Sequence, residues 1–403
     1  MDMKAYSAVE ELYTYGKHAV VKGVNGEEAL TLSRLATTSA RTLVPQYDSF
    51  VRYFNDDNKY ADTIIRTALA PSQLTTASDQ QRREIVVRSM QCLVLYMAVL
   101  EQMYTAVEDC DSTDALRVLD AGSGWDRAAA LLIGSIEGAE QGGTSDGHSL
   151  FGLSKSLCAQ FGTCGSSGSS TTNEEMISLL YTGKGAVDGA SCGALRRTVN
   201  EMRPLLLVPL IQANLASALV NEKHPKGTQV PEFAQGYAYS RSVLPLVDDV
   251  NRESSAAINK NLDFQFNTEP VPDGASAVFR AFAQVYSGLN VDCRMLGSIE
   301  GRDPCDGSGG GGSGTDIGLI VGVSLAVIAA LTVGVCFFVR RNRMKRNHET
   351  SPLFVKSNGV LNHNHDSDLL SGKLNDADVI DSDEAFDKRI RKQVGELDGF
   401  TIT

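Results

Sequence analysis

Residues 83–107 read REIVVRSMQCLVLYMAVLEQMYTAV, and this long, mainly apolar stretch indicates the fold class of the chain. Apolar residues recur along it at helical spacing, which is typical of a helix buried in a core. Ser78 and Asp79 stand just before it, and their side-chain oxygens are suited to accept hydrogen bonds from the first backbone N–H groups of a helix. The sequence therefore predicts a helix over residues 79–109.

Most of the sequence on either side of this helix also has helical periodicity. Apolar residues at i, i+3 and i+4 spacing, or runs rich in alanine, predict helices, whereas strand-like alternation between turn residues is scarce. Thr172, Asn173 and Glu175 are expected to cap the helix at 173–183. We therefore expect an all-α fold. The other predicted helices cover residues 3–16, 27–43, 46–54, 59–69, 113–136, 149–161, 193–222, 232–260 and 274–289.

Residues 317–339 read IGLIVGVSLAVIAALTVGVCFFV and contain no charge and no proline. A helix of this length rises roughly 34 Å, which is enough to cross a bilayer core. A glycine/serine stalk at residues 306–316 precedes it, and a basic cluster follows it. Basic residues stay on the cytoplasmic side, which predicts one transmembrane helix with an extracellular N-terminal ectodomain at the plasma membrane. The basic cluster consists of Arg340, Arg341, Arg343, Lys345 and Arg346.

The N-terminal sequence, MDMKAYSAVEELYTYG, has neither the apolar core nor the cleavage site of a signal peptide. Export of residues 1–316 requires such a signal. We therefore expect it to precede residue 1; an incomplete gene model is the alternative.

Residues 340–403 are polar and predict a disordered cytoplasmic tail. Within the tail, Asp366 is followed by Leu369 and Leu370, which form a dileucine-type sorting pattern. An extended tail can place two leucines in the pocket of a clathrin-adaptor-type protein. A functional signal implies cycling between the plasma membrane and endosomes, whereas a chance pattern implies no cycling.

The formal net charge of the chain is −12. The tail is close to charge-balanced, so nearly all of this charge belongs to residues 1–316. An acidic ectodomain disfavours nucleic acid and anionic lipid as partners and is compatible with cations. Simple solubility explains the same charge.

Seven of the eight cysteines precede the predicted span, which contains Cys336. An oxidising compartment favours disulfides, and one of seven must stay unpaired. Cys92 lies within the apolar helix at 79–109 and is expected to be a buried free thiol. Local spacing favours pairing of Cys158 with Cys164 and of Cys293 with Cys305, which leaves Cys110 and Cys192 as the third pair. Other pairings stay open, and the spacings do not fit a zinc site.

Short elements recur along the chain in the same order. Four such repeats predict a duplicated helical module, with one copy at 1–168 and a second at 169–305. Val44-Pro45 and Val208-Pro209 are each expected to open an amphipathic helix. The repeated elements are LYTYGKHAV from Leu12 and LYTGKGAV from Leu180, the two Val-Pro pairs, residues 107–110 and 290–293, and GSIEG at 134–138 and 297–301.

Enzyme signatures are absent from the sequence. Residues 118–124, VLDAGSG, resemble a nucleotide-binding glycine loop, but the preceding residues predict a helix and no strand–helix units follow. No HExxH, GxSxG or phosphate-binding GxxxxGK[ST] pattern occurs. The prediction is a protein that is not an enzyme.

Oxygen donors in the repeated elements and beside the single tryptophan are candidate ligands for a hard cation. Each has an alternative role as a helix cap, a core residue or a solvated surface group. Arg127 and Arg196 are candidates to hold a small anion, or ordinary surface charges. The candidate metal ligands are Tyr13, Asp126, Glu137, His148, Tyr181 and Glu300.

A set of motifs resembles the algal low-iron-inducible periplasmic proteins, a family that includes the diatom phytotransferrins. The set consists of Trp125-Asp126 followed by GSIEG at 134–138, LCAQFGTC at 157–164, VPLIQA at 208–213 and the element that begins at Leu12. The resemblance covers most of residues 8–301. It implies capture of Fe(III) with carbonate at the cell surface, followed by endocytosis. The chain departs from the family at Ala128–Leu132, where the family has aromatic residues.

Two other functions are compatible with the sequence. The first is a surface interaction or adhesion receptor that keeps the fold without binding iron. The second is an extracellular ferroxidase, which requires several histidines. The chain has six histidines, and His348, His363 and His365 belong to the predicted tail.

Overall fold

The computed structural model describes residues 3–16, 20–23, 26–38, 42–134, 148–166, 168–225, 230–264 and 271–306. The predicted transmembrane helix at 317–339, nearly all of the stalk and the tail with Asp366, Leu369 and Leu370 lie outside these residues, as does Glu137. They stay predictions.

The described chain is mostly helical, as expected for an all-α fold, with one two-stranded antiparallel hairpin near the N-terminus. A π-helical turn, Met90–Val94, joins α5 to α6, and a short 3₁₀ helix, Cys293–Leu296, follows α14. The elements in chain order are α1 (Met3–Tyr15), β1 (Val20–Gly23), β2 (Gly26–Ala29), α2 (Leu32–Thr37), α3 (Tyr47–Tyr53), α4 (Tyr60–Leu69), α5 (Asp79–Ser89), α6 (Leu95–Cys110), α7 (Ala115–Ile133), α8 (Leu150–Phe161), α9 (Thr171–Asp188), α10 (Cys192–Glu222), α11 (Pro231–Val250), α12 (Arg252–Leu262), α13 (Ala275–Ala283) and α14 (Tyr286–Leu289).

The predicted helix at 79–109 is confirmed as the continuous run of α5, the π-helical turn and α6. Ser78 caps it as expected: its side chain accepts from the backbone N–H of Gln81, and the Gln81 side chain accepts from the backbone N–H of Ser78. This reciprocal pair satisfies two backbone donors that the first helical turn leaves without partners.

Several predicted boundaries are wrong. Within the helix predicted at 27–43, the described residues 27–38 form β2 and the short α2, because Thr31 caps a helix that begins only at Leu32. The helix predicted at 232–260 is two helices, because the side chain of Asn251 accepts from the backbone N–H of Ser254 and starts α12. The N-terminal cap of α9 is Ser170 rather than Thr172 and Asn173.

Two further predicted helix starts or ends also differ from the structure. Val208 and Pro209 do not open a helix, since Pro209 lies inside α10. The helix predicted at 274–289 is interrupted between α13, which ends at Ala283, and α14, which begins at Tyr286.

Helix α10 lies at the centre of the core. It contacts α6, α8, α9, α11 and α13, while α7 packs along α6 and α5 packs along α11. One continuous cluster of buried side chains includes residues from both 1–168 and 169–305, for example Trp125 and Leu210. The two predicted modules thus share one core, and the duplication itself stays a prediction.

Helix α10 is also the one helix within the described residues that is long and apolar enough to cross a membrane. Of its most apolar window, 89% is buried inside the protein. Neighbouring helices cover this surface, so the length and composition of α10 are accounted for by its place in the core.

Three disulfides join the two pairs that local spacing favoured and the third pair that was left. Cys110 at the end of α6 is bonded to Cys192 at the start of α10, Cys158 to Cys164, and Cys293 to Cys305. Cys92 is free and buried, as predicted. Burial raises the pKa of the Cys92 thiol well above its usual range, so it stays a neutral core residue.

Candidate functional site

A cavity of about 410 Å³ lies among α5 with its π-helical turn, α8, α10 and α11. Its polar lining comes mainly from two facing helices, α5 and α11, and its apolar lining from α8 and α10. The main polar residues are Arg88, Gln91, His148, Glu232, Gln235 and Tyr239, and the apolar ones are Leu153, Leu157, Ala213, Ala216 and Val220.

The π-helical turn forms part of the cavity wall. Such turns insert one extra residue into a helix and are frequent at functional sites. Gln91 lies within the turn and is only 2% exposed. Its side-chain amide donates to the backbone carbonyl of Ser149 at 2.9 Å, which fixes the start of α8 next to His148.

Arg88 is the centre of a partly buried polar network. Its Nε donates to Glu84 Oε2 at 3.2 Å, and its Nη1 donates to Gln91 Oε1 at 3.1 Å. Gln235 of α11 donates to the same Glu84 oxygen at 3.0 Å. Burial alone would lower the pKa of Arg88, but Tyr239 and Glu84 raise it overall, so the guanidinium stays charged.

Tyr239 and His148 are the titratable groups next to this network. The guanidinium of Arg88 lies 5.8 Å from the centre of the Tyr239 ring. Burial raises the pKa of Tyr239, while the positive charge of Arg88 opposes that shift. Burial, helped by the charge of Arg88, lowers the pKa of His148. Near pH 7 the cavity therefore presents a neutral phenol and a neutral imidazole beside a cation.

His148 is the one predicted metal ligand among the described residues that lines this cavity. Tyr13 is buried and its hydroxyl donates to Asp62 Oδ1 at 2.8 Å. Glu300 is exposed and accepts from Lys223 Nζ at 2.5 Å.

The remaining predicted ligands lie on α7 and α9. Asp126 is buried within α7, and Tyr181 on α9 is 43% exposed. Across the described ranges, no group of three or more His, Cys, Asp or Glu side chains is placed to hold a metal ion. The predicted ligand set is thus distributed over several elements, each residue in its own surroundings.

The predicted anion-binding arginines lie elsewhere on the surface. Arg127 donates from Nε to Gln102 Oε1 at 2.8 Å, and Arg196 forms an ion pair with Asp111. Arg88 is not among the site residues predicted from the sequence. The signal was present, because Arg88 is a charged residue within the apolar run that predicts the central helix, and such a residue is seldom buried without a partner.

Two of the motifs that carry the family resemblance, LCAQFGTC and VPLIQA, meet the second GSIEG repeat at a place that we call the motif joint and define by Phe161, Thr163, Gln212, Leu296 and Gly297. The backbone N–H that follows Gly297 donates to the carbonyl oxygen of Phe161 at 2.9 Å. The buried amide of Gln212 donates to the carbonyl of Leu296 at 2.9 Å and to Thr163 Oγ1 at 3.5 Å. These motifs therefore attach the segment that precedes the predicted stalk to α8 and α10.

The repeated LYT element at 180–182 also has a structural role. The indole Nε1 of Trp125 donates to the carbonyl of Leu180 at 2.9 Å. Gly183 lies directly against the Trp125 ring, where a Cβ atom would overlap it. The only tryptophan of the chain thus packs on the second copy of this repeat.

No known protein family, curated protein or solved structure matches this chain.

Proposed function

We propose that this protein is a membrane-anchored surface protein that captures Fe(III) together with carbonate for uptake by endocytosis, and that it is not an enzyme. The motif resemblance supports this proposal. The disulfides also support it, since they suit an exported domain. The predicted anchor at 317–339 and the sorting pattern at Asp366, Leu369 and Leu370 would supply attachment and retrieval.

The cavity is the observation that carries the iron proposal. It combines His148 and the oxygen-bearing side chain of Tyr239 with the cationic Arg88, and Glu232 lines it about two turns earlier on α11. Ferric ion is a hard cation that favours carboxylate and phenolate oxygens. Arg88 would hold the accompanying anion. Because burial keeps Tyr239 protonated, coordination by its phenolate would release a proton.

The test is a ferric titration of the full chain in detergent, with and without bicarbonate. We expect saturable binding that requires bicarbonate and that weakens at least about tenfold, about 1.4 kcal/mol, in Tyr239→Phe. Tyr181→Phe is the matched control, because Tyr181 is exposed on α9 and does not line the cavity.

Two results would contradict the proposal. If ferric binding does not depend on bicarbonate, or if no ferric ion binds, the protein does not capture Fe(III) together with carbonate. Binding that weakens in Tyr181→Phe or Tyr13→Phe but not in Tyr239→Phe removes the cavity as its site and returns the ligand assignment to the repeated elements.

A second candidate function, a surface interaction receptor that does not bind iron, is favoured by one observation. Leu116 and Leu119 lie one turn apart on α7 and are 72% and 76% exposed. For this function we expect the full chain to contain no metal as isolated. In a pull-down from cell-surface extracts, the full chain would bind a protein that the double variant Leu116→Ser, Leu119→Ser does not bind. Equal retention by both proteins would exclude this surface.

A further inference from the structure

We infer that the Arg88 end of the cavity binds the carboxylate of a small organic acid that carries a single negative charge and a short apolar body. This binding goes beyond iron capture and does not require a metal ion. It rests on three features of the cavity: a guanidinium with an unused donor group, a tyrosine hydroxyl that is accessible from the cavity, and an apolar wall.

The first feature is the orientation of Arg88. Glu84 takes its Nε and Gln91 takes its Nη1, so the guanidinium is fixed from two directions. Its Nη2 donates no hydrogen bond to the part of the chain that the structure describes, and the side chain lines the cavity at 21% exposure. A planar guanidinium fixed in this way presents its remaining donors at a defined angle, which is the geometry that carboxylates recognise.

The second feature is the hydroxyl of Tyr239. The residue is 7% exposed, and its hydroxyl makes no hydrogen bond within residues 3–306 as described. The hydroxyl is not among the fully buried side-chain atoms that lack a partner, so it is accessible from the cavity that Tyr239 lines. The guanidinium carbon of Arg88 lies 5.8 Å from the centre of the Tyr239 ring, so both donors belong to the same end of the cavity.

The third feature is the apolar wall, which sets the body of the ligand. Leu153 and Leu157 of α8, with Ala213, Ala216 and Val220 of α10, line the same cavity. Its volume of about 410 Å³ is larger than an inorganic anion needs. An alkyl chain of a few carbons would cover this wall and would be stabilised there by removal of its apolar surface from water.

The charges around the cavity limit the ligand to one negative charge. Glu84 already compensates much of the charge of Arg88. Glu232 lies two turns before Tyr239 on α11, roughly 10 Å along the helix axis. A second carboxylate on the ligand would therefore approach the like charge of Glu232, which lines the same cavity.

The experiment uses the full chain in detergent, freed of metal with a chelator, and pentanoate as the probe in isothermal titration calorimetry. We expect saturable binding of pentanoate and binding at least tenfold weaker for glutarate, for bicarbonate and for pentanol. Glutarate tests the requirement for a single charge, bicarbonate tests the requirement for an apolar body, and pentanol tests the requirement for a carboxylate.

Variants locate the site. Tyr239→Phe removes a single hydroxyl and is expected to weaken pentanoate binding at least fivefold while the fold is retained, as monitored by Trp125 fluorescence. Arg88→Lys keeps the charge but loses the planar donor pair, and we expect at least a tenfold loss. Arg127→Gln is the control, because Arg127 is exposed and lies outside the cavity lining; its affinity should equal that of the unaltered protein.

Several outcomes would overturn the inference. The first is the absence of saturable pentanoate binding. The second is pentanoate binding by Tyr239→Phe and Arg88→Lys that is as tight as that of the unaltered protein. The third is an affinity for glutarate, bicarbonate or pentanol that equals the affinity for pentanoate. Because the measurement is made without metal, pentanoate binding can succeed where ferric capture fails, and the two proposals fail separately.

Discussion

Replacing Gly297 with alanine is expected to lower the free energy of unfolding by about 4 kcal/mol. Gly297 has φ +69° and ψ −154°, a backbone conformation that is essentially restricted to glycine and costs about 1–3 kcal/mol for other residues. A Cβ atom there would lie 2.5 Å from Thr163 Cγ2 and closer still to the carbonyl oxygen of Phe161. Overpacking of this kind adds about 1–3 kcal/mol.

The carbonyl of Phe161 cannot move away without loss. It accepts the backbone N–H of Ser298 at 2.9 Å, so relieving the overlap breaks the hydrogen bond that closes the motif joint. We expect the alanine variant to release residues 293–305 to protease at urea concentrations where the unaltered chain is protected. Urea unfolding of the full chain in detergent, followed by Trp125 fluorescence, gives the free energy.

Gly301→Ala is the matched control for this prediction. Gly301 also has a positive φ, +73°, but a Cβ atom there meets nothing within 4 Å. Its expected loss is therefore the conformational part alone, about 1 kcal/mol. If Gly297→Ala and Gly301→Ala lose the same free energy, close packing at the motif joint is not what makes Gly297 necessary.

Local sequence patterns were enough to predict the features of the fold that depend on neighbouring residues. The helix at 79–109, its cap at Ser78 and the short-range disulfides depend on spacing within a few turns of chain. The sequence pattern did not predict that the helix at 232–260 is divided at Asn251. Helical periodicity continues on both sides of it, and the decisive feature is one side chain that accepts from the backbone N–H of Ser254.

The candidate site could not be predicted in the same way, because its partners come from distant parts of the chain. Glu84 and Gln235 are separated by 151 positions, and their hydrogen bond exists only once α5 and α11 pack together. Tyr13 and Glu300 were predicted as metal ligands because they belong to repeated motifs, whereas Arg88 and Tyr239 belong to no repeat. At GSIEG and LYTGKG the repetition coincides with packing constraints, at Gly297 and Gly183, rather than with shared ligands.

Replacing Gly183 with alanine is the second large expected effect, a loss of about 3 kcal/mol. A Cβ atom on Gly183 would lie 2.6 Å from Trp125 Cη2 and closer to two other ring atoms. Trp125 is fully buried, and its Nε1 is held by the carbonyl of Leu180 in the same helix. The Trp125 ring can move away from Gly183 only if its hydrogen bond to Leu180 breaks. That movement would displace the largest fully buried side chain of the core.

Gly185→Ala separates packing from helix propensity, because Gly185 lies in the same helix and nothing lies within 4 Å of its Cβ position. Alanine favours a helix over glycine by about 1 kcal/mol, so this variant should be more stable than the unaltered chain. We expect the two substitutions, two residues apart, to have opposite signs in urea unfolding. A red shift of Trp125 emission is expected only for Gly183→Ala, since only that change acts on the ring. Stabilisation by both would show that α7 and α9 can separate without loss, and it would remove the structural reason for glycine in the second LYT repeat.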